Sequence, residues 1–127
     1  MPKHQDLKAW IAANPKAGPK EVLAVAILYV AFSGLDFSDN DVEYELKACR
    51  YDLDKELENP MADTGPVYRD LSRYERLIVA TGAVVASRNP KGKESIVRVY
   101  RITPKGLAHV QLMFLSPPPQ RKPELFR

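Results

Sequence analysis

The stretch AVVASRNPKGKESIVRVYRI, residues 83–102, decides how the rest of the chain is read. Ala83 to Ser87 is a short, β-branched run, and Ser95 to Ile102 is a second one. Between them Arg88-Asn89-Pro90-Lys91-Gly92-Lys93 is turn chemistry rich in cations. Two such runs around an Asn-Pro-x-Gly segment predict a β-hairpin with a long basic loop.

Everything before the hairpin has helical spacing. Pro66 to Val79 reads as a helix with Val67, Leu71, Tyr74 and Ile78 as its buried stripe, entered by a short turn from Met61 to Gly65. Asn59-Pro60 closes a preceding acidic helix over residues 39–58, whose apolar stripe is Val42, Leu46, Cys49, Leu53 and Leu57. Ser38 followed by Asp41 resembles the N-terminal cap of that helix. Pro19 opens an earlier helix that runs to about Phe32 and is apolar almost all round, so it is expected at the centre of the fold. A helix from Gln5 to Ala13 carries Leu7, Trp10 and Ile11 on one side and can cover either its own domain or a second subunit. After the hairpin, Thr103-Pro104 caps a last helix with Leu107, Val110 and Phe114 on its buried side. The expected organisation is an N-terminal helix and linker over 1–18, one domain over 19–114, and a proline-rich tail over 115–127.

Composition narrows the class. With 127 residues, 45% of them apolar, the chain suits one globular domain. One cysteine, Cys49, excludes an intrachain disulfide, and with only His4 and His109 beside it no zinc site is expected. Cys49 lies on the apolar stripe, where it reads as a small core residue. No apolar leader follows Met1, and the longest apolar run, Val22 to Phe32, is far short of the roughly 20 residues that cross a bilayer. These features point to the cytoplasm and away from a membrane. No phosphate-cradling glycine motif or nucleophile elbow is present, so neither an enzyme nor a bound cofactor is expected.

The net charge of +3 conceals a division. Residues 36–58 hold nine acids and three bases, a balance of −6, while residues 64–106 hold nine bases and three acids, a balance of +6. A basic half concentrates polyanions locally whatever the total charge.

Three helices followed by a hairpin is the winged helix-turn-helix order. The resemblance extends to residues. Tyr100-Arg101-Ile102-Thr103-Pro104-Lys105-Gly106-Leu107 resembles the strand-to-helix exit of winged-helix regulators of the PadR and MarR type, and Gly65-Pro66-Val67-Tyr68-Arg69-Asp70-Leu71 resembles the start of a PadR-type recognition helix. The fold expected is therefore mainly α with a small β-hairpin: a three-helix core, a β-wing, a C-terminal helix and an additional N-terminal helix.

What this resemblance implies is double-stranded DNA binding by a small homodimeric transcriptional regulator. Tyr68, Arg69, Ser72, Arg73 and Arg76 cover the arc opposite the expected stripe, and with Thr64 they would face bases and nearby phosphates. Arg88, Lys91, Lys93 and Arg98 on the hairpin would hold flanking backbone; Arg101 is a further strand cation. The alternative is a winged-helix adaptor that binds protein through the acidic helix 39–58. The two differ in where the cations go, onto one open face or into ion pairs with the acidic helix.

Overall fold

The computed structural model describes residues 6–91 and 94–114. A set of helices packs on one small antiparallel sheet, in the order α1 (Leu7–Ala13), α2 (Pro19–Ala31), β1 (Phe37–Ser38), α3 (Asp39–Ala48), α4 (Leu53–Glu56), α5 (Pro60–Arg69), β2 (Ile78–Lys91), β3 (Glu94–Ile102) and α6 (Pro104–Val110).

The most apolar segment takes the centre. In α2 every residue from Val25 to Ala31 is buried, along with Val22 and Leu23. Pro19 occupies the first turn, where a missing N–H leaves no bond unmade. Gly34, at φ +81°, turns the chain out of the helix. Helix α1 begins where the Asp6 carboxylate accepts the Ala9 N–H at 2.8 Å, and it packs on its own domain. Leu7 is 1% exposed, and Trp10 and Ile11 lie half-buried against the core.

The acidic segment is two helices rather than one. Ser38 and Asp41 form a reciprocal capping box at the start of α3. The helix then ends at Cys49, because Arg50 adopts φ 59°. The Arg50 N–H donates to the Lys47 carbonyl and the Tyr51 N–H to the Leu46 carbonyl, both at 2.9 Å, which is a Schellman closure. An arginine in the position that glycine favours concealed the break. Asp52 caps the short α4, and Leu57 is buried just beyond it.

Asn59-Pro60 does not stop a helix but starts one. The Asn59 side chain accepts the Ala62 N–H at 3.4 Å, and the Asn59 N–H donates back to Asp63 at 3.3 Å. Met61 to Gly65, expected as a turn, therefore belongs to α5, and Pro66 lies inside it. The helix continues into a π-helical turn over Asp70–Tyr74, closed by the Glu75 N–H donating to the Asp70 carbonyl at 2.8 Å. This wider turn rotates the expected stripe. Tyr74 is 71% exposed, and Leu77 is buried instead.

The sheet order is β1-β3-β2, all antiparallel, with Phe37 opposite Tyr100 and Ile78 opposite Ile102. The first long strand begins at Ile78, not Ala83. Gly82, at φ +92°, sits in a register shift between Ala80 and Val84, where it bends the strand. Thr103 caps α6 by accepting the Gly106 N–H at 2.9 Å. The inward face of this last segment is Gly106, Val110 and Phe114, with the Phe114 ring 5.0 Å from Tyr29, while Leu107 is 38% exposed. A Cβ on Gly106 would lie 1.9 Å from the Leu77 carbonyl oxygen, so only glycine fits this crossing. The tail over 115–127 lies outside the described residues.

Candidate nucleic-acid interface

The cations after α5 are placed by the way the helix ends. Arg69 is its last residue, Arg73 lies in the π-helical turn, and Arg76, at φ 58°, leads toward β2. All three are exposed. Because α5 starts at Pro60, Arg69 is the tenth residue of the helix and not a member of its first turns. Those first turns present Ala62, Asp63 and Gly65 instead. The negative end of the helix dipole favours arginine at this position. Arg69 approaches its neighbour Asp70 at 3.8 Å, an exposed and weak pair.

Tyr68 is a correction to the expected site. It is 6% exposed, its hydroxyl donates to the Asp39 carboxylate, and its ring stacks on Tyr100 with centroids 5.1 Å apart and planes 19° apart. Burial, and then the Asp39 charge, holds its pKa well above the ordinary phenol value. It joins α5 to α3 and β3, and it does not stand on the exposed arc. The hydroxyls of Ser72 and Thr64 are turned onto their own helix: Ser72 donates to the Tyr68 carbonyl at 2.8 Å, and Thr64 to the Pro60 carbonyl at 2.7 Å. Both remain half-buried at the surface.

The hairpin is tied to the acidic helix by a residue that the sequence did not single out. Asn40, in the first turn of α3, donates its side-chain N–H to the Ala86 carbonyl at 2.9 Å and accepts the Arg88 N–H at 2.8 Å. An asparagine two residues after a capping serine looks like ordinary cap chemistry, so nothing local signals a bond across 46 residues. Arg98 hydrogen-bonds the Tyr100 hydroxyl, and the charge of Arg73 acts on the same group. Burial raises the Tyr100 pKa, and these two cations oppose the rise. The charges of Arg73 and Arg98, and the opposing charge of Asp39, thus all act on the Tyr100 hydroxyl. Arg101 goes elsewhere, holding Asp36 through two bonds of 2.8 and 3.0 Å and keeping that carboxyl below the usual carboxylate range. Lys93 and the side chain of Lys91 lie outside the described residues.

Between α5, the hairpin and the α3–α4 corner runs a groove of about 260 Å³. Asp39, Glu43, Asp54, Ile96 and Arg98 are among the residues that line it. The acidic and basic halves of the sequence therefore meet here. Cys49 lies half-buried near the same corner on the core side; burial, and then the Glu45 charge, pushes its thiol up to about 11.

Among the described residues no helix is long and apolar enough to cross a membrane. Comparison of the chain with protein-family models, curated proteins and solved structures finds no match in any of the three.

Proposed function

We propose that this chain is a winged helix-turn-helix protein that binds double-stranded DNA through the cations at the end of α5 and on the hairpin, as a homodimeric transcriptional regulator of the PadR or MarR type. The exposed cations Arg69, Arg73 and Arg76 at the end of α5, with Arg98 exposed on β3, carry this reading. Element order supports it as well: α2, α3 and α5 precede the β2–β3 hairpin, and β1 pairs beside that hairpin. Because the arginines follow the C-terminal end of α5, their part in this reading is to hold phosphates. A guanidinium on a phosphate oxygen supplies affinity and register without reading sequence.

Labelled random-sequence duplex, titrated at several salt concentrations and followed by fluorescence anisotropy, tests the proposal. Log affinity is expected to fall linearly with log salt as phosphates release counterions. Replacing Arg69 and Arg73 by alanine together should flatten the slope by about 1.8, roughly 0.9 per lost phosphate contact. Absence of saturable binding at low salt, or a slope unchanged by the double substitution, overturns it.

One observation favours the adaptor reading instead. Arg101, a hairpin cation, pairs with Asp36 of the acidic segment, as that alternative requires of more of its arginines.

A further inference from the structure

The first turn of α3 touches both of the elements that carry the exposed cations. Asp39, its first residue, accepts the hydroxyl of Tyr68, which directly precedes Arg69 in α5. Asn40, its second residue, reaches the hairpin, donating to the Ala86 carbonyl at 2.9 Å and accepting the Arg88 N–H at 2.8 Å. Ala86 and Arg88 are two residues apart, so they present these groups on the same edge of β2 and one carboxamide serves both. We infer that Asn40 is a positioning residue of the DNA-binding surface: it fixes the hairpin at one distance from α5, so that cations from the two elements meet the phosphates of one duplex together. The inference rests on the DNA reading and assigns Asn40 no contact with DNA.

The place of the contact on the hairpin gives it this role. Among the described residues β1 pairs with β3 at Val99 and Tyr100, so toward the tip the sheet has two strands. A two-stranded hairpin is marginally stable by itself in water. Its ladder is also irregular between Ala80 and Val84 and again between Ala86 and Lys91. Asn40 holds it between these interruptions, at the last regular pair before the second, Ala86 opposite Ile96. Arg98 belongs to the same regular segment, opposite Val84, so fixing Ala86 fixes Arg98 as well. At its base the hairpin is joined to α5 by the stacked rings of Tyr68 and Tyr100. Asp39 and Asn40, adjacent in the chain, close the frame from the other side. The task suits asparagine, whose carboxamide both donates and accepts, whereas aspartate only accepts and alanine does neither. A hairpin already set in place loses less freedom when it binds, which leaves more of its phosphate attraction as affinity.

Hydrogen exchange and a double-substitution cycle on the full chain test it. Without DNA, Asn40→Ala should speed exchange of the Arg88 amide by about tenfold, the scale of two lost hydrogen bonds. The amides of α2 should keep their protection, which shows that the variant is folded; alanine is also the better helix former, so α3 is retained. In the duplex titration Asn40→Ala should weaken affinity by about tenfold, the cost of ordering a loosened hairpin. In the Arg98→Ala background the same change should cost only about twofold, because a cation that it positions is gone. A residue that merely stabilised the fold would give the same factor in both backgrounds. Unchanged exchange at Arg88 overturns the inference whatever DNA does. Faster exchange with equal factors in the two backgrounds overturns the positioning role and leaves the DNA reading intact. No saturable duplex binding by the unsubstituted chain overturns the DNA reading and this inference with it, a failure visible before any variant is made.

Discussion

Two corners of this molecule share a local backbone and differ in everything that surrounds it. At the end of α3, Arg50 takes φ 59°; after α5, Arg76 takes φ 58°. The first corner closes within itself, through the bonds from Arg50 to Lys47 and from Tyr51 to Leu46. The second closes through the fold. The Leu77 N–H reaches back to the Leu71 carbonyl at 2.9 Å, the Arg76 carbonyl accepts the Thr103 hydroxyl at 2.7 Å, and the Leu77 carbonyl accepts the Thr103 N–H at 3.1 Å. Left-handed arginine thus marks a local turn in one place and a junction of α5, β3 and α6 in the other. The same dihedral angle has different consequences because different elements rest on it.

The strongest way to break that contrast is at Gly106. Its missing side chain lets α6 lie against the Leu77 carbonyl. Gly106→Ala should destabilise the protein by about 3 kcal/mol, the upper range of overpacking, although alanine favours helix by about 1 kcal/mol. Thermal or urea unfolding measures this directly. A cost below about 1 kcal/mol would mean that α6 can move aside, and the second corner would then be as local as the first.

A smaller effect sharpens the contrast at the arginines themselves. Arg50→Gly should stabilise by about 0.5 kcal/mol, since relief of a left-handed side chain outweighs the added freedom of the unfolded chain. Arg76→Gly should give a similar gain in stability, because the bonds at Arg76 and Leu77 use backbone groups that glycine retains. On the DNA reading only Arg76→Gly should also reduce the salt slope, by about 0.9. Urea midpoints and duplex titrations of the two variants separate backbone relief from loss of a phosphate contact. Equal slopes in both variants would take Arg76 out of the interface.

The smallest effect concerns pH. Arg101 lowers the Asp36 pKa below its unfolded value. A carboxylate so depressed contributes stability that is fully present above the unfolded pKa and is lost as pH falls through the lower folded one. Both side chains are about half exposed, so the contribution is slight. Arg101→Ala should make the acid limb of the stability curve marginally shallower and leave neutral pH almost unchanged. Urea midpoints taken from neutral pH down into the carboxylate range check it, and an acid limb identical in both proteins would show that the pair adds nothing.

What was legible in the sequence were features written in adjacent residues. The all-apolar α2, the Ser38–Asp41 cap, the hairpin and the Thr103-Pro104 entry to α6 all have local signals, and all are present. The misreadings share one origin. Arg50 stood where a break is usually announced by glycine, the bulge at Gly82 hid that the strand begins at Ile78, and Asn59-Pro60 serves a start as readily as a stop. The π-helical turn cannot be read from spacing, since it changes the spacing itself, and it exchanged Tyr74 for Leu77 in the core. At the candidate site the exposed arginines were readable from helix phase. The inward turn of Tyr68 was not, because it depends on Asp39 and Tyr100, 29 and 32 residues away. Nor was Asn40, whose side chain bonds only to distant backbone on the hairpin.

Cys49 gives the first corner a built-in clock. With its pKa pushed up to about 11 by burial, this sulfur is held chiefly as the unreactive thiol while the corner is closed. Opening the corner returns the sulfur to water and restores an ordinary thiol with a larger thiolate fraction. The chain has no second cysteine to confuse the signal. The rate at which an alkylating reagent consumes this sulfur therefore counts the openings of the junction between α3 and α4, a local breathing motion that global unfolding curves average away.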